Sequence, residues 1–218
     1  MPRNKIYDAQ YFERWYRKSD VGVGRSEFVG RKVRLAVAAA EYLLGHKIKR
    51  VLDVGCGEGP WRAHLKKLRP GVRYAGMDAS EYAVNRYGRS RDIRLGTVGA
   101  LAAAGFKGKH DLLVCADVLH YVPTPEVRTG LAAMHALCVG VAFIEVFTSA
   151  DAIDGDRAAF QKRTPAQYRA LFAAAGFTPV GLHLYATRDV ARTLVALEKA
   201  GVVLRVGPPV RERADQAC

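Results

Sequence analysis

Apolar and polar positions along the chain alternate between two kinds of segment. Short, nearly continuous apolar runs are typical of buried strands, and they lie at 50–54, 72–77, 92–95, 111–116 and 139–147. Longer segments between them space their apolar residues as a helix does, at about 60–68, 80–87 and 125–137. Strands that alternate with helices predict right-handed crossovers and a largely parallel sheet covered on both faces.

Further helices are predicted at both ends of this pattern. Aromatic residues recur at near-helical spacing from about 7 to 18, a glycine-containing loop follows at 21–24, and a second helix runs from Phe28 to Leu44. We therefore assign residues 1–45 to an N-terminal helical cap. Near the other end, Thr164-Pro165 is a helix start and Gly176 a helix stop.

The first apolar strand runs directly into Gly55-x-Gly57-x-Gly59, and Pro60 then stands where a first helical turn tolerates proline. Glycines at these positions let the chain turn sharply and let a ligand approach the backbone. The dinucleotide fingerprint G-x-G-x-x-G needs glycine at position 60, so a nicotinamide cofactor is disfavoured. Asp78 ends the next strand. Its spacing along the chain from the last glycine, Gly59, suits an acid that binds ribose hydroxyls, although Asp at such a turn can also cap the following helix.

The run from Asp53 to Gly59, with its spacing to Asp78, resembles the first motif of class I S-adenosylmethionine-dependent methyltransferases. The resemblance implies a Rossmann-like α/β three-layer sandwich with a mostly parallel seven-stranded sheet and an antiparallel C-terminal edge. It places the sixth strand at Pro179–Tyr185. The seventh strand is either Val202–Val206 or part of 190–200. We expect the methyltransferase core to span 46–207 and a polar tail to span 208–218.

The same resemblance implies which residues bind S-adenosylmethionine, whose product is S-adenosylhomocysteine. In the family the glycine loop lies under the methionine part of the cofactor, and the acid after the second strand holds the ribose. The segments after the third and fourth strands border the rest of the cofactor. The predicted cofactor-binding residues are Asp53, Gly55, Cys56, Gly57, Asp78, Ala79, Thr97, Asp117 and Tyr16.

Two residues are candidates for catalysis at the carboxyl ends of the strands, where open α/β sheets bind ligands. His120 follows the fourth strand and has the proton affinity to accept a proton from a substrate; it can also simply line the pocket. Glu145 lies inside an apolar strand, where an unpaired carboxylate is expensive. It therefore either has a structural partner or forms the floor of a pocket.

The N-terminal aromatic residues admit three interpretations. Tyr16 and its neighbours can form a lid over the cofactor carboxylate, pack as an ordinary helix, or stack on nucleic-acid bases. The net charge of +13 is concentrated near this end, since residues 1–50 carry 12 basic and 5 acidic residues. An RNA-modifying methyltransferase or RNA-binding module is therefore the alternative function.

Other features favour a small-molecule acceptor of the methyl group at an O, N or S atom. The segment after the fourth strand, Asp117-Val118-Leu119-His120, lacks the Asn/Asp-Pro-Pro-aromatic pattern of enzymes that methylate amino groups of nucleic acids. The four cysteines form no C-x-x-C pair, and no metal site is predicted. The cysteines are read as reduced thiols, so we expect a cytoplasmic location; no apolar run approaches the length of a membrane span, so we expect no membrane contact.

Overall fold

The sheet has seven strands, and the described residues of this computed structural model are 5–18, 26–153 and 156–192. The sheet order is β3-β2-β1-β4-β5-β7-β6. The strands are β1 (Arg50–Val54), β2 (Arg73–Asp78), β3 (Ile93–Leu95), β4 (His110–Ala116), β5 (Cys138–Glu145), β6 (Thr178–Gly181) and β7 (Leu184–Ala186). The first five are parallel, and β7 is antiparallel to both of its neighbours. This arrangement confirms the predicted fold class.

Helices cover both faces of the sheet. They are α1 (Ala9–Phe12), α2 (Ser26–Leu44), α3 (Pro60–Leu68), α4 (Glu81–Arg91), α5 (Thr124–Leu137), α6 (Pro165–Ala174) and α7 (Arg188–Ala191). Successive strand residues point to opposite faces, so Val51 packs with α2 and α3 while Leu52 packs with α5 and α6. The resulting two cores fix the position of every strand end at the carboxyl edge.

The predicted sixth strand is wrong in one respect. Residues 178–186 form two short strands, β6 and β7, because Leu182 and His183 adopt φ of 51° and 65° and reverse the chain. Gly181, with φ of 115°, is the local turn signal, and Leu182 after it is a residue that rarely adopts positive φ. The strand beside β5 is therefore Leu184–Ala186. Of the two segments predicted for the seventh strand, 202–206 lies outside the described residues, and so does 190–200 beyond residue 192.

Two predicted helices differ in extent from the structure. The helix predicted at 80–87 continues through Gly88 to Arg91, where Asp92 ends it with φ of 56°. The N-terminal helix is α1 followed by a π-helical turn, Glu13–Lys18. The predicted loop at 21–24 lies outside the described residues. Among the residues that are described, no helix is both long and apolar enough to cross a membrane.

Candidate functional site

The glycine loop between β1 and α3 depends on backbone conformations that other residues rarely adopt. Gly55, Gly57 and Gly59 have φ of 72°, 54° and 75°. A Cβ atom on Gly55 would lie 2.3 Å from the side chain of Val118, which belongs to the segment after β4. The amides of Gly55 and Cys56 both donate to the carbonyl of Met77 in β2. The loop is thus held against the ends of β2 and β4 by its own backbone.

Asp78 is bonded to this loop. Its Oδ2 accepts a hydrogen bond of 2.6 Å from the Gly57 amide, and its Oδ1 accepts one of 2.9 Å from the Ser80 amide. Burial raises the pKa of Asp78, and the backbone N–H donors partly offset that rise. Each oxygen keeps acceptor capacity for a further donor. Ala79 and Thr97 are exposed at the same edge, and Gly96, beside Thr97, donates to the Asp78 carbonyl.

Asp53 and Cys56 lie beneath the loop and are 2% and 5% exposed. The Tyr74 hydroxyl donates to Asp53 Oδ2 at 2.8 Å, so this acid has a structural partner. Burial, with a smaller contribution from Asp78, raises the pKa of Asp53 to about 7. Burial also raises the pKa of the Cys56 thiol. Both residues therefore support the loop from below.

We expect Asp53→Asn to change the pH dependence of stability. An acid whose folded-state pKa is raised binds more protons when folded, so the fold loses stability as pH rises from about 4 to 7. The asparagine variant lacks this loss. Its stability relative to the wild type should rise by about 3 kcal/mol between pH 4.5 and pH 8, measured by urea unfolding. If the free energies of unfolding of the two proteins differed by the same amount across this pH range, the pKa of Asp53 would not be raised in the folded protein.

The segment after β4 carries Asp117, a non-glycine residue with φ of 60°. Its amide donates to the Glu145 carbonyl at 3.1 Å, which joins the ends of β4 and β5. Within the described part of the chain, its buried Oδ1 has no hydrogen-bond partner. Burial and the nearby Glu145 carboxylate raise the pKa of Asp117 to about 6, against an opposing effect of Lys32. Asp117 Oδ1 is therefore a buried acceptor that receives no hydrogen bond from the described backbone or side chains.

His120 lies three residues further along and is 1% exposed. Its Nδ1 is 3.3 Å from the Phe147 amide and must accept that hydrogen bond, so the proton of the neutral ring is on Nε2. Nε2 has no partner among the described residues. Burial, followed by the charges of Lys5 and Arg163, lowers the pKa of His120 to about 3. This histidine is therefore a neutral donor at physiological pH.

Glu145 has side-chain partners that the sequence did not indicate. Lys32 of α2 forms an ion pair with Glu145 Oε2 and lies 3.9 Å from Asp117 Oδ2. His183, in the turn before β7, places Nε2 3.9 Å from Glu145 Oε1. These side chains form a carboxylate cluster at the ends of β4 and β5. Because Lys32 and His183 lie far from Glu145 in the chain, no local pattern reveals them.

Arg163 is a second residue that the sequence did not reveal. It is 5% exposed, and its guanidinium donates to the carbonyls of Leu119 and Val122, which flank His120. It also donates to the Thr124 and Tyr168 hydroxyls at 2.9 and 3.1 Å. Arg163 thereby fixes the backbone on both sides of His120.

The N-terminal segment, defined here as residues 5–18, lies over the glycine loop. A Cβ on Gly57 would lie 2.3 Å from the Tyr16 hydroxyl oxygen. The Tyr7 carbonyl accepts a hydrogen bond of 2.6 Å from Ser80 Oγ, and Arg17 pairs with Glu58 at 2.7 Å. Burial, followed by Asp78, raises the pKa of Tyr16, so the hydroxyl stays protonated. The Tyr16 hydroxyl thus lies against Gly57 of the loop.

The structure brings most of the predicted residues to one edge in two neighbouring groups. Tyr16, the glycine loop and Asp78 form the first group, and Asp117, His120 and Glu145 form the second. A separate open groove of about 630 Å³ lies on the outer side of the N-terminal segment. It is lined by Arg14, Arg17, Lys18, Tyr82 and Arg86, among other residues. Two of the buried atoms without a hydrogen-bond partner among the described residues, Asp117 Oδ1 and His120 Nε2, lie instead on the segment after β4.

Comparison with known proteins shows the same fold. Magnesium protoporphyrin IX methyltransferase from Synechocystis, solved with bound S-adenosylmethionine, is 20% identical over 83% of this chain and 93% of that one, with a TM-score of 0.57. A S-adenosylmethionine-dependent methyltransferase from Archaeoglobus fulgidus is 17% identical over 78% and 73%, with a TM-score of 0.59. DesVI from Streptomyces venezuelae is 17% identical over 84% of this chain and 96% of that one, with a TM-score of 0.58. No curated protein sequence matches the chain.

The family comparison covers most of the sheet. The family model described as a methyltransferase domain matches residues 26–182, which is more than half of the chain. The matched region includes the glycine loop, Asp78, the segment after β4, Lys32 and Glu145, and it ends one residue before His183. The chain therefore belongs to the methyltransferase domain family, in agreement with its resemblance to class I S-adenosylmethionine-dependent methyltransferases.

Proposed function

We propose that this methyltransferase moves a methyl group from S-adenosylmethionine to an O, N or S atom of a small molecule held at the ends of β4 and β5. The observation that carries the proposal is the pair of buried, unpartnered atoms on one segment, Asp117 Oδ1 and His120 Nε2. Buried polar atoms without partners are rare in folded proteins. One is an acceptor and the other a donor, so a polar ligand at this edge would satisfy both.

The residues present fit S-adenosylmethionine. The loop offers a glycine backbone without side-chain bulk, and Asp78 is buried but keeps acceptor capacity for ribose hydroxyls. The cofactor is a sulfonium and supplies a methyl group that is already activated. The protein therefore has to align the acceptor, exclude water and accept a proton where the acceptor loses one.

Each cofactor-binding residue then has a role. Gly55, Cys56 and Gly57 form the floor under the methionine part, with Asp53 holding this floor from below. Tyr16 donates to the cofactor carboxylate, and Asp117 Oδ1 accepts from its amino group. Asp78 accepts from the ribose hydroxyls, and Ala79 and Thr97 border the adenine. The N-terminal segment is, in this proposal, the lid over the cofactor.

The acceptor side depends on His120 and Glu145. Because Nδ1 already accepts a hydrogen bond, His120 donates through Nε2 to an acceptor oxygen or nitrogen and orients its lone pair. This is a positioning role, which the geometry supports better than proton acceptance. Glu145 is the better candidate for proton acceptance, because its carboxylate lies at the end of β5, with Oε2 paired to Lys32 and Oε1 3.9 Å from His183 Nε2.

Calorimetry with S-adenosylmethionine and S-adenosylhomocysteine tests the proposal directly. We expect binding of both compounds at one site per chain. Absence of binding to the folded protein would refute the proposed function. The alternative function, RNA modification or RNA binding, predicts tight RNA binding with a steep salt dependence. The Arg14→Ala and Arg17→Ala substitutions should then weaken RNA binding. Weaker RNA binding in these variants, with a small-molecule reaction unchanged, would favour the RNA alternative.

Asp117→Asn should weaken S-adenosylhomocysteine binding about tenfold, because the amide keeps the size of the side chain but loses its charge. Calorimetry at pH 7.5 measures the change. Asp111→Asn is a matched control at the opposite end of β4, where the carboxylate accepts from the amides of Lys49 and Arg50. Equal losses in the two variants would show that Asp117 has no specific contact with the cofactor.

A further inference from the structure

The N-terminal segment inserts an ammonium group into a cluster of aromatic rings. Lys5 Nζ lies 3.1 Å from the centroid of the Tyr121 ring and 5.3 Å from the centroids of Tyr7 and Tyr11. Its Nζ is 2.7 Å from Asp156 Oδ2. We call Tyr7, Tyr11, Tyr121 and Asp156 the tyrosine cage. Several aromatic faces with one carboxylate are the chemistry by which proteins recognise alkylammonium groups.

The walls of the tyrosine cage are held by contacts that do not involve Lys5. The Tyr121 hydroxyl donates to the Asp156 carbonyl at 2.8 Å, and Asp156 Oδ1 accepts from the Ala158 amide at 2.8 Å. Tyr7 and Tyr11 pack edge to face with centroids 5.0 Å apart. The residues of the cage are therefore held to one another by contacts other than those to the lysine that fills it.

The lysine is poorly suited to remain there permanently. Its side chain is 7% exposed, and burial lowers the pKa of the ammonium although a carboxylate lies beside it. Residues 5–8 lie outside any helix or strand, so withdrawal of the side chain breaks few backbone hydrogen bonds. An exogenous cation can compete for this position.

The cage adjoins both groups of the candidate site. Tyr121 follows His120 in the chain, and their ring centroids are 4.2 Å apart. On the other side, the Tyr7 carbonyl bonds to Ser80, two residues after Asp78. A ligand with its ammonium in the cage would therefore bring neighbouring atoms close to the unpartnered Nε2 of His120.

We propose that the tyrosine cage binds a cationic amine of the methyl acceptor, and that Lys5 occupies the place of this ammonium when the acceptor is absent. The proposal rests on the methyltransferase function proposed above and narrows its substrate class to molecules that carry an alkylammonium group. Lys5 then acts as an internal competitor, which disfavours binding of weak or uncharged acceptors.

Titration of the full chain with tetramethylammonium chloride, followed by NMR in saturating S-adenosylhomocysteine, tests the inference. Lys5→Ala should bind this cation at least tenfold more tightly than the wild type, because the internal competitor is gone. Tert-butanol, an uncharged probe of similar shape, should bind neither protein. Lys18→Ala removes a lysine from the same segment that is 75% exposed, and this control should behave as the wild type.

A second substitution ties the binding to the cage. Tyr121→Leu in the Lys5→Ala background should reduce tetramethylammonium binding at least tenfold while S-adenosylhomocysteine binding persists. If Lys5→Ala binds S-adenosylhomocysteine but shows no preference for the cation over tert-butanol, the inference is overturned and the proposed function stands. If the folded protein binds no S-adenosylhomocysteine at all, the proposed function itself fails.

Discussion

Asp78→Ala will weaken S-adenosylhomocysteine binding about 100-fold, because hydrogen bonds between a carboxylate and two ribose hydroxyls are stronger than neutral ones. The acid is buried at the end of β2 and bonded to the Gly57 and Ser80 amides. Removing it also leaves those two donors without their acceptor. Calorimetry on the wild type and the variant measures the loss of affinity, and circular dichroism checks that the sheet persists.

A ligand lacking the 2′ and 3′ hydroxyls separates the two effects of this substitution. If Asp78 binds the ribose, the wild type should lose affinity for the dideoxy analogue, and the variant should bind both compounds with nearly equal affinity. If instead the acid only supports the loop, the substitution would reduce the affinity for both ligands by the same factor relative to the wild type. That second pattern would count against the ribose assignment.

Much of the site follows from local sequence. The glycine loop, the acid at the end of β2 and the segment after β4 each follow a strand that the apolar pattern predicts. In a parallel sheet the carboxyl ends of strands share one edge, so these residues have to meet. Local pattern and topology together therefore predict the cofactor side of the site.

The acceptor side could not be predicted in the same way. Lys32 meets Glu145 across 113 positions of the chain, and Lys5 reaches Tyr121 and Asp156 across more. Charged residues of these types are usually solvated, and nothing nearby in the sequence distinguishes these from the others. Similarly, Gly181 signals a turn, but the two short strands around Leu182 and His183 become apparent only where β7 pairs with β5 and β6.

Arg163→Met should destabilise the fold by about 3 kcal/mol and displace the backbone around His120. The guanidinium donates to neutral oxygens on Leu119, Val122, Thr124 and Tyr168, and its loss leaves buried carbonyls without donors. Methionine approximates the length of the side chain, so the change tests the hydrogen bonds more than the packing. Urea unfolding measures the stability, and calorimetry with S-adenosylhomocysteine reports on the segment after β4.

Two further variants show whether the fork shape of the side chain matters. Arg163→Lys keeps the charge but cannot reach several carbonyls at once, so it should recover only a small part of the lost stability. Arg128→Met, on the exposed face of α5, should change stability by no more than about 0.5 kcal/mol. Full recovery by lysine would mean that charge alone is required there. Arg163 would then balance the local electrostatics without positioning His120, and the position of His120 would depend on its hydrogen bonds with the Phe147 and Gln161 amides.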